Sequence, residues 1–561
     1  MKNRIKPNCL YMIILSATAV FSYAYSITHF AIGVDDTAMK LYFEEGLSVC
    51  TNRWTMFFLN RVLNLNIISW PTWLVESLAV CVLMLSISFW CLLIKKILVS
   101  VHIEIPEWIY GFAAALAISC PIISEIWVYY IQNGVAIGYG LTAVSILLFL
   151  QSVQHKKRHN VLKVVGCGLC LATALGCYET MMDCFLMGVI ACFMFLQALS
   201  DKQKNRVYDI RFFSWAIRGS LVLLISLLIR SLMHKILMYV YHLDNMAKYG
   251  VNDYNTVFGD LFVTPGALGL LIKKMFLKYW VNAVTYLPIT FLVISWIIIG
   301  SFAVFFTIRK RNLWVVICVA VMAVVPILSS IVAGRAKSYH SAQFVPIMIM
   351  FGFIVLGVVV HYSNRTKKIL NIVMLSLAVG GIIVQIRDMN KWFVQDYSKY
   401  LEAKQIMTNV AEKLIEDYDI KKPVVVVGAT MPSDEICKVA SIPMDSWKYK
   451  VITLLTSFDP TLKEKFHANY GGWRYYYADS PLLSVLTWAG SPFQNCDLAA
   501  SQQYTRFWEM IGYEDFIYVP TTEMIMEAEK IRDVSRMPGY PCEGYIIDNG
   551  TMLIVNLSEI E

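Results

Sequence analysis

Apolar stretches long enough to cross a lipid bilayer recur along this chain, and they restrict its fold more than any other feature. A membrane-spanning helix needs about 20 mostly apolar residues, and the sequence contains about eleven such stretches. Charged residues make up only 16% of the chain, against about 25% in soluble domains. The sequence therefore predicts a polytopic α-helical membrane protein. The predicted spans lie near Cys9–Phe30, Thr72–Ile94, Trp108–Ile123, Val135–Gln151, Val161–Cys177, Met181–Leu199, Phe212–Leu232, Val281–Ile308, Leu313–Ala333, Phe344–His361 and Ile369–Ile386.

Lysine and arginine collect in alternate loops between these stretches, which predicts the orientation of the chain. Loops rich in these residues face the cytoplasm. The N-terminus is therefore predicted inside, and an odd number of spans places the C-terminus outside the cytoplasmic membrane. The net charge of +8 reflects this anchoring pattern, so a nucleic-acid partner is not expected. The basic loops contain Lys2/Arg4/Lys6, Lys95/Lys96, Lys156/Lys157/Arg158, Lys202/Lys204/Arg206/Arg211, Arg309/Lys310/Arg311 and Arg365/Lys367/Lys368.

The composition changes after the last predicted span. From Arg387 to Asp419 apolar residues recur with a helical period, and Lys422-Pro423 stops that pattern before a β-strand. Asp548-Asn549-Gly550 is a favoured turn sequence for a hairpin. We therefore predict a transmembrane domain with extracytoplasmic loops over residues 1–386 and a small extracytoplasmic α/β domain over residues 387–561. The predicted strands are Val424–Gly428, Phe516–Val519, Tyr545–Ile547 and Met552–Val555, with a helix capped by Thr521 or Thr522 and running through Ile531.

Ionisable residues gather in the predicted outer loops, whereas the inner loops are short and basic. A transporter that works by alternating access more often places such residues near the bilayer midplane, at breaks in its helices. Their position at the outer rim favours a site that faces outward. The residues concerned are Asp35, Asp36, Glu125, Glu179, Asp183, Arg335, Lys337 and His340.

The Asp35-Asp36 pair follows the first predicted span, and it has two interpretations. It can cap the next helix. Alternatively, one carboxylate can act as a general base while the other orients it, raises its pKa or holds a cation. A divalent cation is therefore compatible with the pair, although no residue pattern identifies a metal site or another cofactor.

Basic residues in the outer loops offer sites for an anion. Arg53, within Asn52-Arg53-Trp54, opens a predicted helix in the membrane interface, where it can anchor the helix or bind a lipid phosphate. A predicted outer loop contains three basic residues, Arg335, Lys337 and His340, although basic residues are usually concentrated in cytoplasmic loops. This exception favours an anion-binding site over simple anchoring. A third basic face, formed by Lys273, Lys274 and Lys278, can instead bind phospholipid headgroups.

The sequence contains no P-loop and no Rossmann glycine fingerprint. A nucleotide-activated sugar donor would normally meet a cytoplasmic soluble domain, and none is predicted. A glycosyl-transferring enzyme with an outward-facing site must use a donor already carried across the membrane, such as a polyprenyl-phosphate sugar. The Cys167-x-x-Cys170 pair lies in an apolar helix without nearby metal ligands, which favours a structural role. The predicted external tail contains Cys437, Cys496 and Cys542. Two of these three could form one disulfide, and the sequence does not show which two.

Several short motifs, in this order and topology, resemble the Gtr-type bacterial glucosyltransferase family, which includes serotype-converting O-antigen glucosyltransferases, within the GT-C superfamily of membrane glycosyltransferases. The resemblance covers nearly the whole chain. Asn52 stands where that family has glycine, and Tyr178-Glu179 where it has Tyr-Gln. The motifs are Gly33-Val-Asp35-Asp36, Asn52-Arg53-Trp54, Ser124-Glu125-Ile-Trp-Val-Tyr-Tyr, Tyr178-Glu179, Phe344-Val-Pro346 and Arg536-Met537-Pro538-Gly-Tyr540-Pro541.

The resemblance implies a GT-C-like enzyme that transfers a hexose, above all glucose, from undecaprenyl phosphate to a cell-surface glycan such as O-antigen. It implies catalytic roles for Asp35 and Asp36 and an inverting displacement. A flippase for lipid-linked sugars, with the tail as a docking domain, is the alternative. The residues expected to bind substrate or phosphate are Arg53, Glu125, Tyr178, Glu179, Arg335, Lys337 and His340.

Overall fold

A computed structural model describes residues 9–37, 46–63, 70–127, 133–154, 160–200, 207–243, 265–276, 289–332, 341–362, 367–428, 450, 454, 496–514 and 520–558. The fold in these ranges is mostly helical, with one small sheet near the C-terminus. The helices are α1 (Cys9–Thr28), α2 (Val34–Thr37), α3 (Leu47–Cys50), α4 (Trp54–Leu63), α5 (Thr72–Ser100), α6 (Glu107–Ile118), α7 (Ser124–Trp127), α8 (Val135–Ser152), α9 (Asn160–Cys177), α10 (Met181–Leu199), α11 (Phe212–Val240), α12 (Ala267–Phe276), α13 (Ile289–Lys310), α14 (Trp314–Val332), α15 (Phe344–His361), α16 (Lys367–Asp417), α17 (Cys496–Met510) and α18 (Thr522–Ser535).

Nine helices within the described ranges are long and apolar enough to cross a membrane. Two shorter apolar helices, α6 and α9, occupy the positions of the third and fifth predicted spans. Many long apolar helices fit a polytopic membrane protein, as the sequence predicts, while the count of eleven spans stays a prediction.

The third predicted span, Trp108–Ile123, is wrong at its C-terminal end. Helix α6 stops at Ile118, and a 3₁₀ turn over Pro121–Ile123 leads into α7. Proline disfavours helical geometry in the residue before it, here Cys120, which adopts an extended conformation. Apolar composition alone does not show this break, because the residues on both sides of it are buried.

Close approach between helices holds the bundle together. Helix α5 packs on α8, where the Ser86 hydroxyl donates to the carbonyl of Ala136 at 2.7 Å and the Trp90 indole N–H donates to the carbonyl of Tyr139 at 3.1 Å. A Cβ on Gly140 would lie 2.7 Å from Ser86 Oγ, so a larger residue would displace the hydroxyl that bonds to Ala136. Such tight packing replaces the hydrophobic effect as the attraction between helices in lipid.

Helix α16 is a single helix of 51 residues. At 1.5 Å per residue it is about 75 Å long, more than twice the roughly 30 Å thickness of the hydrocarbon core. Because it extends from Lys367 to Asp417, it crosses the predicted boundary between the transmembrane domain and the tail domain, at residues 386 and 387, without interruption. The apolar part beside the bundle and the predicted tail helix are one rigid element.

Three strands form a sheet in the order β1-β3-β2, where β1 is Val424–Val427, β2 is Ile546–Asp548 and β3 is Leu553–Asn556. Strand β3 pairs in parallel with β1 and antiparallel with β2, so the predicted hairpin forms. Helix α18 begins after Thr521, whose side chain caps Met524 N–H. The predicted strand at 516–519 lies outside the described residues.

The two faces of this sheet have different partners, because successive side chains of a strand point to opposite sides. Val425 and Val427 pack against α18. Val424 and Val426 pack against the end of α16 and against α17. Ile32, from the segment after α1, joins this second cluster. The acidic-pair segment is therefore fixed by the C-terminal part of the chain.

Candidate functional site

Loop ends from distant parts of the sequence meet at one end of the bundle, the end predicted to face outward. The Thr55 hydroxyl in α4 donates to the carbonyl of Thr173 in α9 at 2.8 Å. His234 Nδ1 in α11 lies 2.9 Å from the carbonyl oxygen of Val49 in α3. Helices α3 and α4, in the first predicted outer loop, therefore pack against the C-terminal parts of α9 and α11.

Arg53 lies at the centre of this contact. Its guanidinium carbon is 5.0 Å from the ring centroid of Tyr178, and Nε is 3.8 Å from Glu179 Oε2. Arg53 is 8% exposed and Tyr178 is 1% exposed. The structure thus brings together three residues that the sequence proposes separately. The predicted position of this helix in the membrane interface stays a prediction, and its first turn packs against protein, because Trp54 and Phe57 are buried.

The backbone explains the first departure from the family motif. Asn52 has φ of 63°, in the left-handed region that favours glycine. Asparagine is among the non-glycine residues that adopt this conformation most readily. Asn52 can therefore replace glycine without changing the direction in which the chain presents Arg53.

Arg230 is a residue of this site that the sequence analysis does not identify. It lies in the C-terminal half of α11, within the predicted span Phe212–Leu232. Its guanidinium attracts Glu179 and repels Arg53 through space, and its buried Nε has no hydrogen-bond partner among the described residues. The available signal is the charge itself, because an arginine inside an apolar span is costly and usually functional.

The acidic pair lies in α2, shortly after the C-terminal end of α1. The Gly33 N–H donates to Asp36 Oδ2 at 2.9 Å, and the Asp36 N–H donates to the Gly33 carbonyl at 3.0 Å. The Asp36 side chain thus accepts from the N-cap N–H, which is one half of a capping box, while the Asp36 N–H bonds to the backbone carbonyl of Gly33 because glycine has no side chain. Asp36 is 0% exposed, and the next residue, Thr37, accepts a hydrogen bond from Gln503 Nε2 at 3.1 Å.

The hydrogen bond from the Gly33 N–H uses one oxygen of Asp36. It does not decide whether the acidic pair serves as a helix cap or as a general base. A neutral amide oxygen would accept the same N–H, so capping alone does not require an acid. Asp35 lies beside it in α2.

Comparison with known families identifies the family to which this chain belongs. The family model described as "Glucosyl transferase GtrII" matches residues 24–357, more than half of the 561 residues. This chain belongs to the glucosyl transferase GtrII family. The match covers α2, Arg53, Tyr178, Glu179 and Arg230, and it confirms the resemblance drawn from the motifs. No curated protein and no solved structure matches the chain.

Other predicted site residues of this GtrII-family chain lie where the structure gives no side-chain contacts. Glu125 is in α7 and Asp35 in α2, but their side chains are outside the described part. Arg335, Lys337 and His340 fall in 333–340, outside the described residues. Lys273 and Lys274 lie in α12, without described side chains. Their roles stay predictions.

Among the residues that the structure describes, no group of three or more His, Cys, Asp and Glu side chains is arranged to hold a metal ion. Asp35 and Glu125 are not covered by that statement. A divalent cation on the acidic pair stays a prediction.

Proposed function

We propose that this GtrII-family protein transfers glucose from polyprenyl phosphate to a cell-surface glycan such as O-antigen, at the outer face of the cytoplasmic membrane. The observation that carries the proposal is the ion pair between Arg53 and Glu179, with Arg230 close enough to both for their charges to interact through space. Guanidinium groups suit the phosphate of a lipid-linked donor, because their planar forks match its oxygens. The resemblance to GT-C enzymes supports the same assignment.

The proposed chemistry is a direct displacement. A carboxylate of the Asp35-Asp36 pair takes the proton of an acceptor hydroxyl, whose oxygen then bonds to the anomeric carbon of glucose. The bond from that carbon to the phosphate oxygen breaks, and polyprenyl phosphate leaves with the electron pair. Attack from the opposite face inverts the anomeric configuration. Because phosphate leaves readily, the site mainly supplies positive charge to the leaving oxygens.

The basic group Arg335, Lys337 and His340 is proposed as an additional contact for the donor phosphate. The family motif and the excess of positive charge in an outer loop support this role. Glu179 then balances the arginine charges and holds Arg53 in place. Tyr178 supplies a buried aromatic surface beneath Arg53.

Transfer itself is tested with membranes that contain this protein as their glucosyltransferase. We expect labelled glucose to pass from polyprenyl-phosphate glucose to endogenous glycan, and membranes without the protein to show no such transfer. If the protein instead moves the labelled lipid across reconstituted vesicles without forming a glucosyl-glycan, the flippase alternative is correct.

Orientation is predicted independently of the chemistry. In a chain with Cys437 and Cys496 replaced by serine, Cys542, which is exposed, should react with an impermeant maleimide on intact cells, and Cys542→Ser in the same chain should abolish that labelling. A cysteine at Asn160 should react only after permeabilisation, because its loop is predicted to be cytoplasmic. The reverse pattern would place the acidic pair in the cytosol and remove the reason for a lipid-linked donor.

A further inference from the structure

A histidine, His234, lies on α11 one turn after Arg230, just past the end of the predicted span Phe212–Leu232. Residues four apart on a helix lie on the same face, and the charge of Arg230 acts on the His234 ring through space. The ring is partly exposed. It has no role in the chemistry described above, although it lies beside the proposed phosphate site.

The contact between His234 and α3 fixes which ring nitrogen carries the proton. Nδ1 lies 2.9 Å from the carbonyl oxygen of Val49. A carbonyl oxygen only accepts, so Nδ1 is the donor, and in a neutral imidazole the other nitrogen, Nε2, is then an acceptor. An imidazole is mostly neutral above about pH 7. Among the described residues Nε2 makes no hydrogen bond, so the ring offers one oriented acceptor.

An acceptor in this place suits a hydroxyl group rather than a phosphate. The oxygens of a lipid-linked sugar phosphate only accept hydrogen bonds at neutral pH, and a neutral Nε2 has no proton to give them. A sugar hydroxyl donates. The phosphate is better matched by the guanidinium groups of Arg53 and Arg230, which donate and carry positive charge.

The direction of α11 places His234 on the sugar side of Arg230. A basic loop with Lys202, Lys204 and Arg206 precedes this helix, so α11 is predicted to run outward from the cytoplasmic side. Four residues of helix advance about 6 Å, so His234 lies about that much farther out than Arg230. The lipid chain of the donor stays in the bilayer, and its sugar therefore extends outward from the phosphate, towards the level of His234.

We propose that His234 Nε2 accepts a hydrogen bond from one hydroxyl of the donor glucose and so contributes to selection of the sugar. The inference rests on the proposed function, in which Arg53 and Arg230 bind the donor phosphate. A site that hydrogen-bonds a substrate hydroxyl discriminates against the analogue without it, because the group of the protein is then left unpaired.

Binding tests this contact without relying on transfer. The full-length protein in nanodiscs is titrated with a short-chain polyprenyl-phosphate glucose and with analogues that each lack one glucose hydroxyl. The wild type should bind one of these deoxy donors about fivefold more weakly than the glucose donor. In His234→Asn that difference should vanish, because the acceptor for the hydroxyl is gone. A fivefold difference that persists in His234→Asn would overturn the proposal.

Two substitutions separate contact with the sugar from contact with α3. The amide nitrogen of asparagine can take the place of Nδ1, so His234→Asn keeps a donor to the Val49 carbonyl and loses Nε2. The longer glutamine side chain places its amide near the position of Nε2, so His234→Gln keeps an acceptor there and loses the bond to Val49. We expect His234→Asn to weaken binding of the glucose donor about fivefold with unchanged thermal unfolding, and His234→Gln to bind it more tightly than His234→Asn does. The opposite order would mean that His234 only holds α3.

A second histidine near the end of α11 provides a matched control. His242 is exposed and has φ of 48°, a conformation that asparagine adopts readily, so His242→Asn should bind every donor as the wild type does. Polyprenyl phosphate without a sugar is the second control. His234→Asn should bind it as the wild type does, whereas Arg230→Gln should bind it more weakly. Equal losses in these two variants would show that His234 contacts the phosphate, which would overturn the proposal.

A transfer assay distinguishes failure of this contact from failure of the proposed function. If the wild type transfers glucose but His234→Asn discriminates among the deoxy donors as the wild type does, the contact is wrong and the function stands. If the binding difference depends on His234 yet the wild type transfers no glucose, only the proposed function fails. If the wild type does not bind the glucose donor, both are wrong.

Discussion

Asp35→Asn and Asp36→Asn should each lower glucosyl transfer about 100-fold or more, because a general base typically contributes about 100- to 10,000-fold. Expression and membrane insertion should be unchanged, because both residues lie outside the long apolar helices. At position 36, asparagine keeps an oxygen that can accept from the Gly33 N–H. The measurement is transfer from labelled polyprenyl-phosphate glucose by membranes that contain equal amounts of each variant.

Asp36→Ala separates the catalytic role from the capping role. It removes the acceptor as well as the charge, so it should also cost about 0.5–2 kcal/mol of stability, as loss of a helix cap does. Asp388→Asn, at an acidic residue that pairs with Arg387, is the control and should retain activity. Near-normal transfer by both Asp35→Asn and Asp36→Asn would leave the pair as a structural cap only.

Arg230→Gln should lower transfer at limiting donor about 10- to 100-fold, because a hydrogen bond to a charged group contributes about 1.5–3 kcal/mol. The loss should appear mainly in the KM for polyprenyl-phosphate glucose if Arg230 binds the donor phosphate before reaction. Arg230→Lys should recover only part of the activity, since lysine keeps the charge but loses the bidentate geometry.

The same helix provides a matched control for Arg230. Arg218 lies near the other end of α11, where Nη1 donates to the carbonyl of Ser152 at 2.6 Å, so Arg218→Gln should leave the donor KM unchanged. Equal donor KM values for Arg230→Gln and the wild type would contradict the assignment. The phosphate contact would then pass to Arg335 and Lys337, and Arg335→Gln would be the next variant to measure.

Features that depend on local sequence could be predicted. The apolar stretches locate long helices, because the bilayer fixes the length that a span requires. The hairpin follows from Asp548-Asn549-Gly550, in which Gly550 adopts φ of 91° and Asn549 Oδ1 accepts from the Thr551 and Met552 N–H groups. The helix cap at Thr521 is equally local.

The candidate site could be predicted only in part. The sequence shows ionisable residues in the predicted outer loops, but it does not show which of them are in contact. The motif identifies Arg53 and Glu179, but not that Arg53 is buried against Tyr178. Arg230 was hidden within an apolar span. Nothing in the spacing of these residues along the chain reports which helix ends are neighbours.

The sequence by itself determined the membrane class, the family and the residue types available at the outer rim, because hydropathy and short motifs are local properties. Tertiary structure alone decided which of those residues meet. Packing of α3 and α4 against α9 and α11 brings Arg53, Glu179 and Arg230 together. Packing of α3 against α11 also places the Val49 carbonyl against His234. The physical reason is that contacts between rigid helices depend on side-chain fit over large sequence separations, which no local pattern records.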